Sequence, residues 1–407
     1  MINGMTASEN NGRAGYLDRD TLSQTAGTLF MACLFAAKGL GSSDGEPVFK
    51  LFLLASFLFW MAKLVLTHWE IKEALISLVL VLFSAVSYRV SGEKGMLICS
   101  MMFTGMKDMD LKKAFRVWTP VFGVSCVITV VLFFLGIAPD WTSPRYKFGM
   151  ELTITNLGFP NHSVLSISYM VLVFMIIYTY GEKLKKWMYA CMVLGCFAIF
   201  GITLSITGFA GTLLGLILIA FRNRITDTAT AAAFPLCAAL SILMPLLPPE
   251  SAVFKAFDRL FNGRLFLSRA FLTSEFITPF GIRIYEDKIQ MDDFYLDSSY
   301  VSALAFCGVV TALIFAVIYE VGILRMNADK DALVSAILIT LLICGLSEPF
   351  LFNTSCKNLS LLFAGAAFYG KRPVPEDPDR IESEEEAFPE DTVGEAGASA
   401  CSTPGRI

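Results

Sequence analysis

The chain has 407 residues, of which 55% are hydrophobic and 17% charged, and a formal net charge of −4. So little charge excludes a soluble globular protein of this length. The negative charge sits largely in the C-terminal tail, so nothing points to a nucleic-acid partner.

Twelve apolar runs are expected to span a membrane as helices. They are continuous rather than alternating, and in lipid the backbone must satisfy itself within each segment. Residues 1–20 are polar and show no signal peptide, so they form an expected cytoplasmic N-terminal segment. The runs are 22–39, 48–66, 71–88, 96–106, 117–137, 163–180, 187–204, 208–221 and 229–247, then 300–324, 332–350 and 359–370. The fourth, eighth and twelfth are short. The chain is therefore predicted to be an all-α polytopic membrane protein. Its membrane domain covers 21–370, and its one large outward loop covers 249–298. The tail 371–407 is acidic, Pro-bearing and poor in apolar residues, which predicts a disordered cytoplasmic segment.

Orientation follows from the basic residues. Lys107, Lys112, Lys113 and Arg116 lie in one connection, Lys183, Lys185 and Lys186 in another. Arg222, Arg224, Arg325, Lys330, Lys371 and Arg372 complete the set. With twelve spans all of them share a side, which should be the cytoplasm. Residues 139–157 and 249–298 then face outward.

The large loop carries six Lys/Arg and eight Asp/Glu. It starts with an amphipathic stretch, apolar at 253, 254, 257, 260 and 261. Asn262-Gly263 is a turn signal, and a second helix should begin at Arg264. Arg264 and Arg269 fit an anionic head group, because guanidinium forks onto phosphate; snorkelling to lipid phosphate is the plainer account. In the other outward loop, Arg145 precedes a polar Asn161-His162-Ser163 cluster entering a helix N-terminus. His162 there fits an acid, a base or an exposed residue next to a cap. Glu348 in the eleventh run is a carboxylate in an apolar stretch, a functional candidate by default. Lys63 and Arg89 are expected to snorkel, and Asn353 and Lys357 to pair locally with Glu348. Nearly all of the ten Cys are scattered through apolar runs, only two His are present, and neither outward loop carries an Asp-x-Asp or Glu-x-x-His. No metal or cofactor is expected.

Four segments resemble the O-antigen and capsular polysaccharide polymerase/ligase superfamily, the Wzy-type polymerases in particular. They are Gly158-Phe159-Pro160-Asn161-His162, Asn262-Gly263-Arg264, Asp297-Ser298-Ser299-Tyr300 with Phe306-Cys307-Gly308, and Leu346-Ser347-Glu348. Their order and placement over about residues 70–370 carry the resemblance more than any one motif. It implies a metal-independent glycosyltransferase in a bacterial plasma membrane. Its substrate would be an undecaprenyl-diphosphate-linked oligosaccharide at the outer leaflet. A flippase and a chain-length regulator would be further partners, beside membrane lipids. Arg264, with Arg145 or Arg269, would hold the diphosphate. His162 or Glu348 would orient or deprotonate the acceptor hydroxyl. Asn161, Asp297 and Tyr300 complete the expected substrate-binding set, with Asp297 pairing to an arginine. One departure stands out: Ser205-Ile206-Thr207-Gly208 lacks the Arg that many members carry there. A ligase of the same superfamily is the nearest alternative. A twelve-span flippase or transporter is a third, opposed by the absence of internal repeats and of charges deep in several spans.

Overall fold

Each apolar run forms a helix, and polar caps mark where several of them start. In the computed structural model, described over residues 18–138, 143–147, 150–261, 263–274, 277–283, 296–328 and 330–370, helices dominate. They run α1 (Arg19–Gly39), α2 (Pro47–Leu66), α3 (Ile71–Ser91), α4 (Gly95–Thr104) and α5 (Leu111–Phe134). Next come α6 (His162–Tyr180), α7 (Lys186–Thr203), α8 (Ile206–Ala220) and α9 (Asp227–Leu246). The large loop contributes α10 (Ala252–Leu260) and α11 (Arg264–Leu272), and the chain closes with α12 (Ser299–Ser302), α13 (Val309–Ala328), α14 (Ala332–Cys344) and α15 (Leu359–Tyr369). Asp110, Thr226 and Asp331 cap α5, α9 and α14 through side-chain oxygens that accept first-turn N–H groups. One element departs from all-α. An antiparallel hairpin, β1 (Ser143–Lys147) and β2 (Met150–Ile154), occupies the connection between α5 and α6. The expected tail at 371–407 lies outside the described residues.

Seven helices are long and apolar enough to cross a membrane: α2, α3, α5, α6, α7, α9 and α13. The chain is thus a polytopic helical membrane protein. α1 has similar length but more polar residues, and α4, α8, α14 and α15 are shorter. α4, α14 and α15 are buried along most of their length.

Two of the predicted runs differ in the structure. The tenth is broken. α12 passes into a π turn at Ala303–Cys307, and Gly308 at φ +81° and ψ 156° ends it before α13. The eleventh ends at Cys344 rather than near 350. Glu348 precedes Pro349, which disfavours helical backbone, and a Cβ on Gly345 would meet Leu351. The chain turns there and carries Glu348 out of the helix. Lys63 does not snorkel. It is 1% exposed and donates from Nζ to Ser23 Oγ at 2.9 Å, inside the bundle. Nor are the helices free of inward charge. Besides Lys63, Lys38 in α1 is buried, and Glu320 in α13 has Oε2 buried with no partner among the described residues.

The connections sort to two ends of the bundle. At one end Lys107 pairs with Glu73 at 2.7 Å and lies 5.5 Å from the ring centroids of both Trp69 and Tyr369. Arg19 there donates to Val65 O and Leu66 O. At the other end Thr129 Oγ1 donates to Gly39 O and Lys94 pairs with Asp44. Lys107→Met is expected to cost about 3 kcal/mol by leaving Glu73 without its cation. Lys107→Met/Glu73→Met should recover most of that loss. Thermal unfolding in detergent checks both; a double variant no more stable than the single one would refute the pairing argument.

Candidate functional site

α10 and α11 form as their sequence directs. Ser251 Oγ accepts from Phe254 N–H to start α10, and Gly263 at φ +83° makes the turn between the helices. Asp258 of α10 then accepts from Phe266 N–H, fixing the first turn of α11. Arg264 is the first residue of that helix. Its Nε lies 2.8 Å from Asp297 Oδ2 and its Nη1 lies 3.2 Å from Glu348 Oε1. Nη1 also donates to Ser347 O. One guanidinium thus joins the start of the large loop, its end and the turn after α14.

Asp297, Ser298, Ser299 and Tyr300 do four different things. Asp297 pairs with Arg264. Ser298 caps α12 and shares a 2.5 Å hydrogen bond with Ser241 of α9. Ser299 is fully buried; its Oγ donates to Glu348 O at 2.5 Å and accepts from Leu351 N–H at 3.1 Å. Tyr300 donates from its hydroxyl to Leu342 O at 2.9 Å, under the rings of Phe234 and Phe352. Tyr300 is therefore a packing residue beneath the site, and Ser299 clamps the Glu348 turn.

Glu348 is almost fully buried. Burial pushes its carboxyl above the ordinary range, Arg264 draws it down, and Asp297 opposes that. The Thr207 hydroxyl also helps draw the Glu348 carboxyl down, and Thr207 Oγ1 lies 3.4 Å from Ser347 Oγ. The start of α8, where the family motif would have an arginine, thus joins the site with a hydroxyl. Gly208 permits this, because a Cβ there would lie 2.1 Å from Ser166 Oγ.

An apolar cavity of about 270 Å³ opens beside Arg264. Leu240 and Met244 of α9 form one wall, and Val253, Phe257 and Phe261 form the other, with Arg264 between them. Apolar residues of α10 and the Arg264 side chain therefore line one space, which Ser241, Ser268 and Ser298 also reach.

The remaining predicted site residues lie elsewhere. Arg269 Nη1 donates to Pro245 O at 3.0 Å and Leu247 O at 2.8 Å, closing the last carbonyls of α9. Asn161 caps α6, its Oδ1 accepting from Ser163 N–H, and His162 begins that helix. Arg145 pairs with Leu152 in the hairpin register. Arg264, Asp297 and Glu348 come together; Arg269, Asn161 and Tyr300 hold backbone in place. Sequence reasoning missed Thr207, Ser299 and Ser347, whose partners lie between 49 and 140 residues away. The local signals were the departure at Ser205–Gly208 and the two motifs that contain Ser299 and Ser347.

Fold and site together define a polytopic helical membrane protein with an arginine–dicarboxylate cluster at one end of its helices. Compared with profiles of known protein families, with curated proteins and with solved structures, the chain matches none.

Proposed function

We propose that this chain is a membrane glycosyltransferase that polymerises oligosaccharide repeat units carried on undecaprenyl diphosphate. The work would take place at the outer face of a bacterial plasma membrane, in capsular or O-antigen-type polysaccharide synthesis. The observation that carries this reading is Arg264 in the wall of an apolar cavity, beside two carboxylates. An amphiphile with an anionic head fits that arrangement, its head at the guanidinium and its chain between α9 and α10. The four motifs that carry the family resemblance supply the reaction class.

In the proposed step the acceptor hydroxyl attacks the anomeric carbon of the growing glycan. The bond from that carbon to the phosphate oxygen breaks, and undecaprenyl diphosphate leaves with the electron pair. Arg264 stabilises the charge on the leaving oxygen. A diphosphate competes for Arg264 and releases Glu348. A buried carboxylate without its cation is a stronger base, so Glu348 then takes the hydroxyl proton. His162, at the head of α6, orients the acceptor. Arg145 would approach the diphosphate from the hairpin. The twelve spans expected from the sequence, with both termini cytoplasmic, would put these groups on the outer side. A flippase and a chain-length regulator are the partners such a reaction needs in the cell.

Purified protein in lipid nanodiscs, given lipid-linked repeat units, should build a ladder of glycan lengths. Movement of the lipid across proteoliposomes without any ladder would make the chain a flippase instead. Topology has its own check. Thr273 is exposed just after α11. With the exposed Cys191 replaced, Thr273→Cys should react with an impermeant maleimide on intact cells. Reaction only after permeabilisation would put Arg264 on the inner side and end this proposal.

A further inference from the structure

Three buried hydroxyls share the cavity beside Arg264. Ser241 of α9 is 7% exposed, and Ser268 of α11 and Ser298, the cap of α12, are each 4% exposed. All three line the same space of about 270 Å³ that Arg264 lines. Contacts in the fold bring them together. Ser268 is four residues after Arg264 on α11, so the two side chains lie on one helical face, a turn apart. Ser298 follows Asp297, whose Oδ2 lies 2.8 Å from Arg264 Nε. Ser298 Oγ is 2.5 Å from Ser241 Oγ, which ties the start of α12 to α9. Phe271, one turn beyond Ser268, packs with Leu296 and Val301 and holds α11 against the same segment.

These hydroxyls have more donors than the fold uses. A helical serine or threonine commonly donates to the carbonyl four residues back. Thr273 does so, to Arg269 O at 2.9 Å. Ser268 does not. Among the described residues its hydroxyl bonds no group, although the residue is buried and lines the cavity. Ser241 and Ser298 share one hydrogen bond, and Ser298 Oγ accepts from Val301 N–H at 3.4 Å. That pair has two hydroxyl protons and uses one, so the other has no acceptor among the described residues. A buried hydroxyl without a partner is costly. Two unused donors on one cavity therefore call for acceptor atoms inside it. A hydrocarbon chain offers none, whereas a phosphate offers several and makes the stronger, charge-assisted bond.

We propose that Ser268, with the Ser241–Ser298 pair, binds the phosphate that carries the lipid chain, while Arg264 takes the phosphate on the glycan side. The cavity is then selective for a prenyl diphosphate over a prenyl monophosphate. This rests on the reading of the cavity as the site of an amphiphile with an anionic head. A diphosphate reaches the guanidinium and the hydroxyls at once, and its chain continues between α9 and α10. A monophosphate fills one of the two places and leaves the donors of the other unpaired. Inorganic diphosphate fills both but leaves the apolar walls, Met244 and Phe257 among them, without a partner.

The test is calorimetric measurement of Kd for the full chain in nanodiscs of zwitterionic lipid, without divalent metal. The probes are farnesyl diphosphate, farnesyl monophosphate and inorganic diphosphate. Farnesyl diphosphate should bind roughly tenfold or more tightly than the monophosphate, the effect of hydrogen bonds to a charged group, and more tightly than inorganic diphosphate. Ser268→Ala removes no hydrogen bond from the fold and should weaken farnesyl diphosphate by roughly tenfold while changing the monophosphate much less. Ser268→Ala/Ser298→Ala should erase the preference altogether. Because Ser298 also caps α12, Ser268→Ala alone decides if the double variant does not fold. An unchanged ratio in Ser268→Ala overturns the proposal, and so does equal or unmeasurable binding of the two farnesyl ligands. Inorganic diphosphate binding as tightly as farnesyl diphosphate overturns it too, because the chain then lies outside the cavity. The glycan ladder tests the polymerase reading separately. A ladder together with an unchanged Ser268→Ala ratio sinks the hydroxyl subsite alone. A ratio that depends on Ser268 without any ladder supports the subsite and sinks the polymerase.

Discussion

Arg264→Ala is expected to reduce glycan polymerisation by roughly 10²–10³-fold, the usual effect of removing one group that stabilises a leaving oxyanion. The same change leaves Glu348 buried without its cation. Lost folding could therefore imitate lost chemistry. Breaking a buried pair from one side costs about 3–5 kcal/mol if the remaining charge persists. Glu348 can avoid part of that by taking a proton, since Ser299 and Leu351 N–H already fix its turn. Arg264→Ala/Glu348→Gln removes the orphaned charge and should recover thermal stability without recovering the ladder. Arg264→Lys should act in between, because ammonium keeps the charge and loses the fork that reaches Asp297 and Glu348 together. Arg259 is exposed on α10, and Arg259→Ala should leave the ladder unchanged. A full-length ladder from Arg264→Ala at matched protein level would remove Arg264 from the reaction.

The second large effect concerns Gly308. Its φ of +81° and ψ of 156° suit glycine alone, and a Cβ there would lie 2.3 Å from Gly281 N and 2.4 Å from the Phe280 backbone. The neighbours are backbone atoms and cannot turn aside. Gly308→Ala should therefore cost about 3 kcal/mol or more and release the contact at Thr278–Gly281, where Val309 N–H donates to Thr278 O and Val310 N–H to Pro279 O. Gly136 supplies the comparison, with φ +70° and open space around it. Gly136→Ala should cost only about 1 kcal/mol. Thermal unfolding ranks the two. Equal losses would mean that the contact between Gly308 and Gly281 does not hold the loop.

Much of this was legible in the sequence because it is local. Continuous apolar runs announce helices, and an amphipathic stretch followed by Asn-Gly announces α10, a turn and α11. A carboxylate in an apolar run marks Glu348. Glu348-Pro349 marks the early end of α14, although the apolar residues on either side continue the run. What stayed hidden depends on distant partners. Lys63 turns inward because Ser23, 40 residues away, offers an acceptor. Thr207 and Ser299 become site residues only when α8, α12 and the turn after α14 meet. The break at Gly308 depends on the backbone of Phe280 and Gly281 lying against it.

The site is assembled from parts made at different times. Thr207 leaves the ribosome 140 residues before Ser347. At about 5–20 residues per second that gap lasts roughly 7–28 s. Arg264 emerges within it, and neither carboxylate partner exists at that moment. The cluster closes only when α14 and the turn after it are in place. A nascent chain therefore holds Arg264 for seconds before either carboxylate that will pair with it has been made.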